Sequence, residues 1–221
     1  QRTGQYRILL TVNDGEGLAN SIRTVEHNLI INQYPKPDFT APLVVAPGEP
    51  FSTDGSLSTD ADGSISSYLW LANGMSVGTS SSASITFNNI GTHNVSLRVK
   101  DDSGYEFAEG IATKSVRVNA PPVAKWKTIP DQIVPDTEIK FTAEDSYDPD
   151  GIIKEYFWKF ADGTRLKGKQ IQRIFSESGV QKFTLTVVDN DDLSNSSTTI
   201  EGETNVNHQP YIVTETVIRS N

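Results

Sequence analysis

Residues 179–192 read GVQKFTLTVVDNDD. Phe183, Leu185 and Val187 alternate with polar residues, the pattern of a strand with one buried face, and the segment closes in an acidic turn. The same pattern is written twice earlier, as GTHNVSLRVKDDSG at 91–104 and GQYRILLTVNDGEG at 4–17. Gly4, Gly91 and Gly179 lie 87 and 88 residues apart, and the closing aspartates Asp14, Asp101 and Asp189 keep those intervals. A fixed period decides architecture before any local reading does. A unit of this length is too long for a solenoid repeat and suits a small sandwich domain.

Composition bounds the rest. The 221 residues are 36% hydrophobic and 21% charged, enough for two full domains with separate cores. The net charge of −9 argues against nucleic acid as a partner and suits divalent cations. Cysteine is absent, which excludes disulfides, thiolate metal sites and cysteine nucleophiles. No apolar run approaches 18 residues, so no membrane insertion is expected in this segment. The first residue falls in mid-repeat, so the chain reads as part of a longer protein.

The pattern along the chain predicts strands throughout and no amphipathic helix. Tyr6, Ile8, Leu10 and Val12 alternate and lead, through a turn, to a second strand ending at Leu29-Ile30-Ile31. Residues 1–31 therefore look like the C-terminal hairpin of a domain. New units open at Asn32-Gln33-Tyr34-Pro35, Asn119-Ala120-Pro121-Pro122 and Asn207-His208-Gln209-Pro210, because proline suits a linker or the first residue of a strand. The expected domains are 1–31, 32–118, 119–206 and a first strand of a further copy at 207–221. Within each full unit Tyr68 and Trp70, or Tyr156 and Trp158, share a strand face and are the candidate core centre. Seven short strands separated by turn signals specify an all-β fold, a tandem array of immunoglobulin-like β-sandwiches.

The later unit contains Pro121-Pro122-Val123, Ser146-Tyr147-Asp148-Pro149-Asp150-Gly151 and the run WKFADG at 158–163, together with the strand from Gly179 to Asp189. In these residues it resembles the PKD (polycystic kidney disease) domain. The earlier unit keeps Asp60, Asp62, Gly63, Tyr68 and Trp70 but has Leu71-Ala72-Asn73-Gly74 after the tryptophan, so a differently shaped turn is expected there. The resemblance implies an extracellular or cell-surface module that is not itself an enzyme. Such modules act as spacers, adhesion units or ligand-contacting accessories.

In a sandwich of this kind the second-to-third and sixth-to-seventh loops share a pole with the entering chain. This should gather Asn32, Asp60, Asp62 and Asp101 in one unit, and Asn119, Asp148, Asp150 and Asp189 in the next. Carboxylates with an amide oxygen are suitable calcium ligands. The resemblance implies calcium at this pole, carried by Asn119, Asp148 and Asp150 and by their matches Asn32, Asp60 and Asp62. The plainer reading is that Asp-x-Asp-Gly is simply a good turn. Both stay open at this point.

Trp126, between Lys125 and Lys127, is expected to be exposed or at an interdomain position, with its counterpart near Thr40. It either stacks on a sugar ring as a ligand-binding residue or packs on a neighbouring domain. His27, His93 and His208 form no cluster in the sequence, and His93 should be a half-buried strand residue. No nucleophile motif or paired-carboxylate pocket is evident, so enzymatic activity is not expected. The expected partners are neighbouring PKD-like domains of the same chain, with other protein chains or polysaccharide as further classes. The function expected is a spacer, stalk or adhesion segment. The alternative is an accessory module that docks a secreted hydrolase on polysaccharide or collagen.

Overall fold

The structure, a computed structural model, describes residues 4–19, 21–105 and 108–207. All regular structure among them is β, in sixteen strands. The chain divides into two compact units, Gln1–Val118 and Asn119–Asn221. The expected strand of a further copy, at 207–221, lies outside the described residues except for Asn207.

In the first unit, β1 (Gly4–Asn13) and β2 (Ile22–Ile31) form an antiparallel hairpin with unbroken register from Gly4↔Ile31 to Asn13↔Ile22. Tyr6, Ile8, Leu10, Val12, Val25 and Leu29 line one face of it, and all are exposed.

The sandwich that follows contains seven strands. They are β3 (Val44–Val45), β4 (Pro50–Asp54), β5 (Ile65–Ala72), β6 (Met75–Gly78), β7 (Ser82–Thr86), β8 (Gly91–Asp101) and β9 (Glu109–Val118). One sheet has the order β3-β9-β8-β5-β6, and β4 pairs with β7 in the other. Phe39, Trp70, Val95, Leu97, Val99, Val116 and Val118 are buried between them.

The second unit repeats the plan with β10 (Lys127–Ile129), β11 (Glu138–Thr142), β12 (Ile153–Phe160), β13 (Arg165–Lys167), β14 (Gln170–Ile174), β15 (Gly179–Asp189) and β16 (Ser197–Val206). Its sheets are β13-β12-β15-β16 and β10-β11-β14. Trp158, Phe141, Phe160, Phe183, Leu185 and Val187 fill the space between.

The two tryptophans are the core centres, at 0% and 1% exposure. Each finds a main-chain acceptor for its indole N–H, Ser80 for Trp70 at 2.9 Å and Gly168 for Trp158 at 3.0 Å. That is what a buried indole requires. Tyr68 and Tyr156 are only half-buried and pack at the margin.

The opening glycines of the repeated stretch also gain a cause. Gly4, Gly91 and Gly179 all have positive φ, at 133°, 109° and 111°, a region essentially open only to glycine. The turn after Trp70 does differ in shape. Asn73-Gly74, both at positive φ, link β5 to β6 with a register shift at Trp70/Leu71, while Ala161-Asp162-Gly163 lie in a longer turn after β12.

Candidate functional site

The chain enters each sandwich at the pole that carries the β4–β5 and β8–β9 loops, or the β11–β12 and β15–β16 loops. Hydrogen bonds tie the three segments together in the same way twice. Asn32 Nδ2 donates to Asp101 Oδ2 at 2.8 Å, and Asn119 Nδ2 donates to Asp189 Oδ2 at 3.1 Å. The next residue's amide meets the second loop aspartate: Gln33 N–H reaches Asp62 at 3.0 Å, and Ala120 N–H reaches Asp150 at 3.2 Å. Between the loops, Ser64 N–H donates to Asp102 and Ile152 N–H to Asn190, the residue one repeat later. Each clasp is complete within its own unit.

The aspartates divide into two classes. Asp101 and Asp189 are buried and well satisfied, since their other oxygens accept from Ser103 N–H at 2.9 Å and Asp191 N–H at 2.8 Å. Asp14 makes the same turn with Glu16 N–H in the hairpin. Burial works against the charge of Asp101, but the bonds from Asn32 and Ser103 outweigh it and hold its carboxyl below the usual range.

Asp60 and Asp148 are different. Both oxygens of Asp60 and Oδ2 of Asp148 are buried with no hydrogen-bond partner among the described residues. Burial, reinforced by repulsion from Asp62 and Asp101, raises the Asp60 carboxyl above its ordinary value. Burial, with repulsion from Asp150 and Asp189, does the same to Asp148. Gly63 and Gly151 leave room beside them. A Cβ on Gly63 would come within 2.7 Å of Asp60 Oδ2, and one on Gly151 within 2.6 Å of Asp148 Oδ2.

Among the described residues no three His, Asp or Glu side chains group closely enough to hold a metal by themselves. A cation here would need amide or main-chain oxygens as well as Asp60 or Asp148. Orphaned, hard, anionic oxygens of that kind fit calcium. The turn reading also has geometry behind it, since Asp150 N–H lies 3.3 Å from Asp148 Oδ1.

Sequence reasoning missed Asn195, whose Nδ2 donates to the Asn119 carbonyl at 2.9 Å. The signal was weak, because its equivalent one repeat earlier is Phe107. His93 is half-buried as expected, stacked on Phe87 at 4.4 Å and bonded to Asn73.

Trp126 requires a correction. It was expected to be exposed or interdomain, but it is half-buried against its own unit's core, edge-on to Phe183 at 4.8 Å. Its counterpart, expected near Thr40, is Phe39. Thr40 bridges Asp54 and Lys127 pairs with Thr142, which puts the preceding aromatic residues in register.

The model of the PKD domain family matches residues 32–116 and again 119–203. The chain belongs to the PKD domain family. The chain is also similar to several solved structures. The PKD1 domain of Vibrio anguillarum Epp is 23% identical, with 41% of this chain and 99% of that one covered and a TM-score of 0.35. The PKD1 domain of the Vibrio cholerae metalloprotease PrtV is 24% identical, covering 39% and 98%, with a TM-score of 0.33. Fibronectin(III)-like modules of Clostridium thermocellum CbhA are 15% identical over 82% of this chain and all of theirs, with a TM-score of 0.38. Two tandem PKD domains thus account for most of the chain. No helix of the described residues is long and apolar enough to cross a membrane.

Proposed function

We propose that this tandem PKD segment is a non-catalytic spacer or adhesion module of an extracellular or cell-surface protein, and that calcium fixes how the chain enters each domain. One observation carries the reading. The linker asparagine and the residue after it are clasped to two acidic loops in both repeats, beside a carboxylate with at least one buried oxygen that lacks a partner among the described residues. Such a device orients an incoming chain. Calcium at Asp60 and Asp148 would neutralise their unpaired charge and lock the clasp, with Asn32, Asp62 and Asp101, or Asn119, Asp150 and Asp189, around it.

A ligand that binds only the folded form raises stability by RT ln(1 + [L]/Kd), about 2.7 kcal/mol at a hundredfold excess over Kd. Calcium titration with calorimetry should therefore raise the unfolding temperature. Small-angle scattering should show the maximum dimension narrowing in distribution relative to the chelated protein. An unfolding temperature and scattering profile indifferent to calcium and chelator would sink the proposal.

A further inference from the structure

Asn73-Gly74 is the one asparagine–glycine pair in the chain, and both residues are exposed. Glycine has no Cβ to shield its amide nitrogen, so the pair is prone to react with itself. The Gly74 nitrogen attacks the Asn73 carboxamide carbon. A C–N bond forms, the Cγ–Nδ2 bond breaks, and ammonia leaves with the Gly74 proton. Water then opens the resulting succinimide. Opening at one carbonyl gives aspartate, and opening at the other gives isoaspartate, whose main chain runs through Cγ and is one atom longer. Water is the only co-reactant.

The fold sets the geometry of this pair. Asn73 (φ 49°) and Gly74 (φ 83°) form the two-residue turn between β5 and β6, flanked by the pair Ala72↔Met75. The sheet order β8-β5-β6 puts β8 and β6 on opposite sides of β5. The main chain leaves Asn73 through Gly74 toward β6, while the carboxamide is tied the other way, to β8. Its Oδ1 accepts from Asn94 N–H at 2.9 Å, and its Nδ2 lies 2.9 Å from His93 Nδ1. His93 Nε2 is 2.7 Å from the Asn89 carbonyl. A carbonyl only accepts, so Nε2 carries the ring hydrogen and Nδ1 offers its lone pair to Asn73. The ring is itself held by stacking on Phe87 at 4.4 Å. Both ends of the carboxamide are therefore drawn toward β8. The carbon that Gly74 must reach swings across only after a bond is broken.

The two features occur together. In the second domain Ala161 stands one repeat after Asn73, and Gln181 stands one repeat after His93. Gln181 makes the bond that corresponds to His93 Nε2, to the Glu177 carbonyl at 3.5 Å. The ring acceptor is thus present where there is an asparagine to hold and absent where there is none.

We propose that Asn73-Gly74 is a self-modification site of the first PKD domain, and that His93 is the positioning residue that sets its rate. A two-residue turn has no slack for an added main-chain atom. Isoaspartate at Asn73 would therefore break the register at Ala72↔Met75 and loosen β6, the edge strand of its sheet. The site is independent of the cation reading, because it uses none of the same residues.

The test incubates the full chain at neutral pH in water enriched in oxygen-18, so that each converted Asn73 carries the heavy label, and follows it by digestion and mass spectrometry. The free peptide Leu71–Val77 is the reference. The parent should convert about tenfold or more slower than the peptide, since two hydrogen bonds hold the carboxamide. His93→Phe keeps a ring over Phe87 but removes the acceptor, and should speed conversion about three- to tenfold, the share of one hydrogen bond. His93→Asn returns an acceptor oxygen without the ring, and should stay within about twofold of the parent. Unfolding temperatures of both variants are measured alongside, because a purely structural role would speed both in step with lost stability. The proposal is overturned if the parent converts as fast as the peptide, if His93→Phe converts no faster than the parent, or if the two variants speed up equally.

Discussion

Removing the Asn119 side chain should destabilise the second domain more than removing Asn32 destabilises the first. Asn119 is fully buried, and so is Asp189 beneath it. Its Nδ2 donates to the Asp189 carboxylate at 3.1 Å and, more weakly, to Asn195 Oδ1 at 3.4 Å. Hydrogen bonds to charged groups contribute about 1.5–3 kcal/mol, and a buried acceptor left without its donor adds desolvation cost. Asn119→Ala should therefore cost about 3 kcal/mol, on the order of 12–24 °C in unfolding temperature for a domain of this length. Asn32 is half-buried, so Asn32→Ala should cost about 1 kcal/mol in the first domain. Urea unfolding followed by amide exchange in β12 and in β5 reports the two domains separately. A double-mutant cycle of Asn119→Ala with Asp189→Asn isolates the pair. Coupling below about 0.5 kcal/mol, or an Asn119→Ala effect no larger than that of Asn32→Ala, would refute the claim that the buried amide–carboxylate bond holds the entering chain.

Three further outcomes are expected. Asp148→Asn should stabilise the chelated protein, since it removes a charge with a buried, unpartnered oxygen, and should abolish the calcium-induced rise in unfolding temperature of the second domain. A chelated variant less stable than the parent would contradict this. Trp158→Phe should cost the second domain about 2–4 kcal/mol by calorimetry, through lost volume and an orphaned Gly168 carbonyl; a cost under about 1 kcal/mol would mean the core repacks around it. The Asp162 carboxyl is held below its ordinary value by Thr164 N–H, with help from the Thr164 hydroxyl and Arg173. Its stabilisation is present above the unfolded carboxylate range and lost as pH falls through the folded value. Asp162→Asn should therefore flatten the acid limb of the melting curve, and an unchanged limb would show that the turn does not depend on the charge.

The sandwich plan was legible because its signals are periodic. Alternation in the strand after Gly179, an interval constant to one residue and paired tryptophans each locate a strand without tertiary knowledge. The convergence of Asn119 with Asp150 and Asp189 followed from loop order alone. What escaped was set by packing. Nothing in sequence separates Asp148, left with an orphaned oxygen, from Asp150, which receives the Ala120 amide, because both sit in one Asp-Pro-Asp-Gly turn. Asn195 has no repeating partner to betray it. Trp126 was misread because two flanking lysines look like a surface. A Cβ on Gly202, 76 residues away across the sheet, would collide with its ring, and strand register shows that Phe39, 87 residues earlier, is its equivalent.

Because Asn119, Asp150 and Asp189 all belong to one unit, as Asn32, Asp62 and Asp101 belong to another, no clasp straddles a boundary. Duplication or loss of a whole 87- or 88-residue block leaves every remaining clasp intact. Length can therefore drift in such an array by unequal recombination while each copy's stability stays constant. Selection for reach is thereby separated from selection for folding, and a single copy is free to acquire features of its own.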